Sequence, residues 1–295
     1  MSCYSIKDLE KLSGIKAHTI RMWEKRFNIF TPDRTKTNIR CYNDEDLKKL
    51  LNISTLYSHG FRISKIAAME GREIIEKVAE ITQDGGSHQD HINNLTVSMI
   101  DMNEATFEQI LNNAILRLGF ERTVTEILYP FLDKIGLLWL AGTINPAQEH
   151  YVTNLIRQKL IIAIDSQIRT GDEATKTFLL YLPEQELHEL GLLFYNYLLR
   201  KDGYEVVYLG QSVPFNDLKE VAKIKQVDCL LTYFVAALSA REIPVYLDRL
   251  SESFPDKIIY ITGIQAHKYQ SELPANVVLV KNVQHFKELL SRFSN

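Results

Sequence analysis

Two short groups of residues have the side-chain types and the spacing to do chemistry. In Glu186-x-His188-x-x-Gly191 a histidine flanked by carboxylates sits where a buried strand pattern over 177–182 gives way to an amphipathic helical pattern over 189–200. Such a strand-to-helix turn is where an open α/β sheet presents its ligand. A neutral imidazole there coordinates a metal through one ring nitrogen while a neighbouring carboxylate holds the proton on the other. His188 suits the first role and Glu186 the second. The other group is Trp139, Glu149 and His150: Trp139 ends one helical pattern, Glu149 and His150 fall in the first turns of the next, and a short turn over 141–144 separates them. The three side chains then converge at one end of an antiparallel hairpin, an arrangement suited to a lid over a flat ligand. The bland alternatives are a solvated histidine at a helix-opening turn, a core tryptophan, and an acidic residue placed by the helix dipole.

The elements that must position these residues follow from periodicity. Apolar runs over 177–182, 205–209, 228–234, 257–262 and 277–280 alternate with helical patterns, ending with a helix over 284–293. Five short strands with crossover helices predict a flavodoxin-like parallel α/β sheet over 176–295, whose ligand edge collects Glu186, His188, Gly191, Gly210 and Gly263. A polar linker over 170–176 precedes it. Between 88 and 170 the apolar spacing is helical throughout, with a cap at Asn103, a stop at Gly119 and a restart at Asn145-Pro146, which predicts a four-helix bundle.

Residues 1–81 form a third region. Ser5 and Asp8 cap a first helix that Gly14 ends. A second helix then places Ile20, Trp23 and Phe27 on an apolar stripe, with His18, Thr19, Arg21, Lys25 and Arg26 available to a major groove. Residues 32–42 read as a small ribbon whose Arg34, Lys36, Arg40 and Tyr42 suit phosphate contacts, and two further helices follow. The charge agrees with this division. Residues 1–70 carry 13 basic and 8 acidic side chains out of 34 and 37, so a basic head sits on an acidic body. The helical run after 72 is stopped at 82–87, which predicts a tether. Three widely spaced cysteines without a CxxC pair indicate neither a disulfide framework nor a thiolate zinc site, and a reducing cytoplasm is expected. The N-terminus has no signal-peptide core and no apolar run is long enough to span a membrane.

Three resemblances sharpen the reading. The Tyr4-Ser5-Ile6 opening, the run Thr19-Ile20-Arg21-x-Trp23-Glu24-x-Arg26 and Arg40-x-Tyr42 closely resemble the MerR family of winged DNA-binding domains, which implies a dimer on a spaced palindrome. Glu186-x-His188-x-x-Gly191 resembles the Asp-x-His-x-x-Gly signature of cobalamin-binding domains, with Glu one methylene longer than the usual Asp. Trp139 followed by nine residues and Glu149-His150 matches the signature of CarH-type photoreceptors, MerR regulators that bind adenosylcobalamin.

By that resemblance Trp139 packs against the adenosyl group, Glu149 hydrogen-bonds it, His150 captures cobalt after photolysis, and His188 lies beneath the cobalt. The chain departs from the cobalamin pattern at Thr232-Tyr233-Phe234 and Thr262-Gly263-Ile264, positions that line the channel for the cofactor's nucleotide tail. Tyr233 and Phe234 narrow that channel unless they point to the other face of the sheet. The resulting expectation is a multidomain α plus α/β protein, not an enzyme. It would be a light-responsive repressor that binds operator DNA and adenosylcobalamin as a dimer or tetramer. The alternatives are a cobalamin-independent transcription factor whose body binds a protein partner, and a cobalamin enzyme, which the DNA head disfavours.

Overall fold

The computed structural model describes residues 3–35, 37–140, 142–167, 176–239, 241–268 and 273–293. The chain forms two compact units, Met1–Leu155 and Ile156–Asn295, described in turn.

In the first unit α1 (Ile6–Ser13) opens with a reciprocal cap. Asp8 N donates to the Ser5 hydroxyl at 3.3 Å, and Ser5 N donates to the Asp8 carboxylate at 2.8 Å. Gly14, left-handed at φ 75°, ends it. Helix α2 (Ala17–Phe27) buries Ile20 and Trp23, and the antiparallel pair β1 (Asp33–Arg34) and β2 (Arg40–Cys41) forms the wing. Helix α3 (Asp44–Ser58), capped by Asn43, supplies the centre of this core with Leu47, Leu50, Leu51, Ile53 and Leu56. The short α4 (Ile63–Ile66) and α5 (Gly71–Gln83) complete the head.

The expected tether over 82–87 is instead a tight joint. Helix α5 continues to Gln83, Gly86 N donates to Ile81 O at 2.9 Å, and Ser87 caps α6 (His88–Ile100) through a box with Asp90. The residues that read as a stop signal are also a start signal, because a Ser-x-x-Asp box follows the glycines directly. The bundle continues with α7 (Glu104–Leu118), α8 (Phe120–Thr123), a π-helical turn at Val124–Leu128, α9 (Tyr129–Leu140) and the first half of α10 (Pro146–Asp165), whose residues from Ile156 on belong to the second unit. The π turn precedes Pro130, whose ring crowds the carbonyl four residues back and which has no N–H to donate. The ladder slips by one residue there, with Tyr129 N donating to Val124 O.

Cys3 and Cys41 are joined by a disulfide, contrary to the sequence reading. They lie 38 positions apart in sequence, but an antiparallel bridge between Tyr4 and Tyr42, with N–H···O distances of 2.8 and 3.0 Å, brings the chain start against the wing. Their Cα atoms are 5.1 Å apart, within disulfide reach. Cys229 is free and buried, which pushes its thiol up to about 12.

The second unit alternates strictly: β3 (Thr177–Pro183), α11 (Leu190–Lys201), β4 (Glu205–Val213), α12 (Phe215–Ile224), β5 (Cys229–Tyr233), α13 (Glu242–Ser253), β6 (Ile258–Thr262), α14 (Ile264–Lys268), β7 (Val277–Leu279) and α15 (Val283–Ser291). All pairings are parallel and the spatial order is β4-β3-β5-β6-β7, the flavodoxin-like order with its switch point beside the first strand of the sheet. Every residue of β3 is buried, as expected for a strand covered on both faces. Only residue 176 of the expected linker over 170–176 lies among the described residues.

Candidate functional site

The turn between β3 and α11 is held by hydrogen bonds that converge on one carboxylate. Glu186 is 1% exposed, and its Oε1 accepts from His188 Nδ1 at 2.5 Å and from the backbone N–H groups of Leu187 and His188 at 3.1 and 3.2 Å. Its Oε2 accepts from the N–H groups of Val235, Ala236 and Ala237, in the loop after β5, at 2.9, 2.7 and 3.0 Å. Burial alone would raise this acid. The imidazole and the three loop N–H groups outweigh it and hold the carboxyl far below the usual carboxylate range. One Glu side chain thus bridges the imidazole and the loop after a neighbouring strand.

An ionised Glu186 favours the His188 tautomer with its proton on Nδ1, which leaves the lone pair on Nε2. The His188 side chain is 58% exposed, beside an exposed Leu187. An imidazole backed by a buried carboxylate would suit a metal that brings most of its other ligands with it. Among the described residues no group of three His, Cys, Asp or Glu side chains could hold an ion on its own.

Several supporting residues were not visible in the sequence. Glu189, 7% exposed, accepts from Arg157 Nε and, at 3.1 Å, from the Tyr208 hydroxyl. Strand β4 runs past its expected end to Val213. There Ser212 N donates to Glu186 O at 3.1 Å, Gln185 N donates to the Ser212 hydroxyl at 3.0 Å, and Gln211 Nε2 donates to Leu187 O at 2.6 Å. Gly210 therefore lies within β4, opposite Tyr181, and the residues that touch the histidine turn are those just after it. Gly263, at φ 101°, has the Phe234 backbone where a Cβ would sit, so only glycine fits. The two bulky residues of the expected channel part company. Phe234 is buried against Tyr246, with ring centroids 5.9 Å apart, while the ring of Tyr233 lies 2.6 Å from where a Cβ on Gly191 would be.

In the first unit Trp139 is not a core residue. It is 55% exposed, and its indole Nε1 donates to Glu149 Oε2 at 2.6 Å across the hairpin turn. His150 follows Glu149 and is exposed. On the head, His18, Arg21, Lys25, Arg26 and Arg34 are exposed and Thr19 is half-buried, whereas Lys36 lies outside the described residues. Tyr42 requires a correction. It is fully buried, and its hydroxyl donates to Glu24 Oε2 at 2.9 Å while Arg40 Nε donates to Glu24 Oε1 at 3.1 Å. The aromatic side chain belongs to the core at the base of the wing, so Arg40 and Tyr42 fix the wing against α2 and Tyr42 has no surface to offer a phosphate.

The chain matches the MerR HTH family regulatory protein model over residues 4–72 and the B12 binding domain model over residues 91–163. Over 284 residues, 91% of both chains, it is 30% identical to the HTH-type transcriptional repressor CarH of Myxococcus xanthus. The chain belongs to the CarH family of MerR-type transcriptional regulators. It is also 25% identical to the HTH-type transcriptional repressor CarA of the same organism, covering 95% of this chain and 98% of the other. The monomethylamine corrinoid protein of Methanosarcina barkeri shares the fold, at a TM-score of 0.57 and 18% identity, over 70% of this chain and all of that one. Among the described residues no helix is long and apolar enough to cross a membrane.

Proposed function

We propose that this regulator is a light-responsive repressor that binds operator DNA as a homo-oligomer in the cytoplasm, with adenosylcobalamin as its chromophore. The Glu186–His188 pair carries the reading: a half-exposed imidazole whose Nδ1 donates to a buried carboxylate is oriented to bind a metal through its other nitrogen. When bound, adenosylcobalamin supplies absorption of visible light and a photolabile cobalt–carbon bond.

The side chains divide the remaining work. His188 offers its second ring nitrogen to the cobalt, and Glu186 keeps the tautomer. Trp139 and Glu149 present a joined indole and carboxylate to the adenosyl group, and His150 places a second imidazole beside them. Gly191 makes room for the Tyr233 ring and Gly263 for the Phe234 backbone beside the histidine turn, and so shape the edge offered to the corrin, while Gly210 lies further back within β4. On the head, α2 enters the major groove through His18, Thr19, Arg21, Lys25 and Arg26, and the wing, with Arg34 and Lys36, meets the phosphates. Dark assembly follows only if the ligand favours the assembled state over the free one, and light removes that bias. Regulation, rather than turnover, is the output.

The test combines cofactor retention with DNA binding. Purified protein is incubated with adenosylcobalamin in the dark, gel-filtered, and assayed by gel shift before and after illumination. Co-eluting chromophore and a light-sensitive shift are expected. Protein that emerges colourless but still shifts DNA would establish the other reading, a cobalamin-independent regulator.

A further inference from the structure

We propose that Tyr233 is the specificity-determining gate of the corrinoid site, an inference that rests on the corrinoid reading above. The ring of Tyr233 packs on the backbone of Gly191 in the first turn of α11, with Cε2 and Cζ each 2.6 Å from the position a Cβ would take. It is braced from the next turn by Tyr195, ring centroids 6.4 Å apart, which in turn meets Phe286 edge-on at 5.0 Å. Gly191 is three residues beyond His188, and Tyr233 is two residues before the Val235–Ala237 loop that holds Glu186. The ring therefore closes the gap between α11 and the end of β5 directly beside the histidine turn.

The chemistry of the ligand makes this position matter. A complete cobalamin carries a nucleotide tail whose base can occupy the lower position on cobalt. When His188 takes that position the base is displaced, and the tail, anchored on the same side of the ring, must enter the protein next to His188. Tyr233 stands there. Phe234 is committed to the opposite side with Tyr246, so of the two bulky residues it is Tyr233 that faces this gap. The missing side chain at residue 191 leaves the ring a flat surface to slide over. The site then admits a tail-less corrinoid with Tyr233 in place and a tailed one only after the ring has moved. A site open about one time in ten slows the tailed ligand about tenfold.

Adenosylcobalamin and adenosylcobinamide, identical except for the tail, are the probes. Association is followed in the dark by stopped-flow quenching of protein fluorescence, for wild type, Tyr233→Ala and Tyr233→Phe. We expect adenosylcobinamide to associate with wild type about tenfold faster, Tyr233→Ala to abolish that ratio by speeding only adenosylcobalamin, and Tyr233→Phe, which keeps the ring, to preserve it. Should Tyr233→Ala fail to fold by circular dichroism, Tyr233→Leu makes the same comparison. A ratio unchanged in the small-residue variant, or both ligands accelerated equally, overturns the gate and leaves the corrinoid reading standing. Failure of both corrinoids to bind wild type overturns both.

Discussion

Replacing Glu186 by Gln removes a charge and one of two acceptor oxygens while keeping the shape. Six N–H groups converge on the native carboxylate, three on each oxygen. An amide has one oxygen, so whichever way it turns, its NH2 faces three donors. Leaving two of them unmet at about 1–2 kcal/mol each costs about 3 kcal/mol, and a domain of this size should lose on the order of 10 °C in melting temperature. If the amide oxygen serves the loop over 235–237, its NH2 confronts His188 Nδ1 and the ring proton moves to the nitrogen meant for the metal. Lower-face ligation should then disappear. Electron paramagnetic resonance on protein loaded with cobalt(II) cobalamin tests this directly, because histidine labelled with 15N changes the nitrogen splitting only where a histidine is the ligand, and loss of that change in His188→Ala assigns it to His188. Wild type should show the labelled pattern, and Glu186→Gln should not. Because the native acid titrates well below its unfolded value, its contribution is fully present at neutral pH and is lost as pH falls below about 4. An unchanged melting temperature with histidine splitting intact in Glu186→Gln would refute the argument.

Lys134 lies in the bundle core, where burial pulls its ammonium down to about 7 and its Nζ donates to Asn93 Oδ1 at 2.9 Å. Its folded value lies below its unfolded one, so stability should rise by roughly 1.4 kcal/mol per pH unit between about 7 and 10. Lys134→Met should flatten that slope in chemical denaturation and be the more stable protein at pH 7. Trp139→Ala should leave folding within about 0.5 kcal/mol, because the indole is exposed, yet abolish the difference between dark and illuminated gel shifts. Arg21→Ala should lower operator affinity and reduce the salt slope by about 0.9 for each phosphate that the arginine neutralises, measured by fluorescence anisotropy across salt concentrations.

Much of the architecture was legible because the signals were local. The Ser5–Asp8, Asn43–Asp46 and Asn103 caps, the glycine stops and the five apolar runs each specify an element without reference to the rest of the chain. What was hidden depends on contacts between distant segments. The Cys3–Cys41 link follows from the Tyr4–Tyr42 bridge, and the burial of Tyr42 from the position of Glu24 on α2. The same holds at the histidine turn. His188 and Glu186 are visible as a pair two residues apart, but nothing in the spacing indicates that three N–H groups from residues 235–237 complete the carboxylate, or that Glu189 is held by Arg157 and Tyr208. The longer acid, a departure from the Asp pattern by sequence alone, meets both sets of donors.

Within the first unit, the junction between head and bundle limits how a change in the bundle could pass to the DNA face. Helix α6 turns an unusually polar buried face, with Asp90, His91, Asn93, Asn94, Thr96 and Ser98, towards its neighbours. Apolar contacts are non-directional and tolerate sliding, whereas a hydrogen-bonded seam has discrete registers. His59 Nε2 lies 2.8 Å from Asp90 Oδ2 at one end of the pairing between α3 and α6, and Lys48 Nζ donates to Asp101 Oδ1 at 2.6 Å at the other. Asn93 sits between, accepting from Lys134 and donating to the Thr55 hydroxyl at 3.5 Å. Moving α6 relative to α3 would strand the buried Asn93 and Thr55 side chains at about 1–3 kcal/mol each. Helix α3 also receives the Tyr4 hydroxyl on Asp44 at 2.7 Å, and Tyr4 is bridged to Tyr42 at the base of the wing. The contacts from α6 through α3 and Asp44 thus reach Tyr4 and the base of the wing, and residues 84–87 form a tight joint where the sequence suggested a tether.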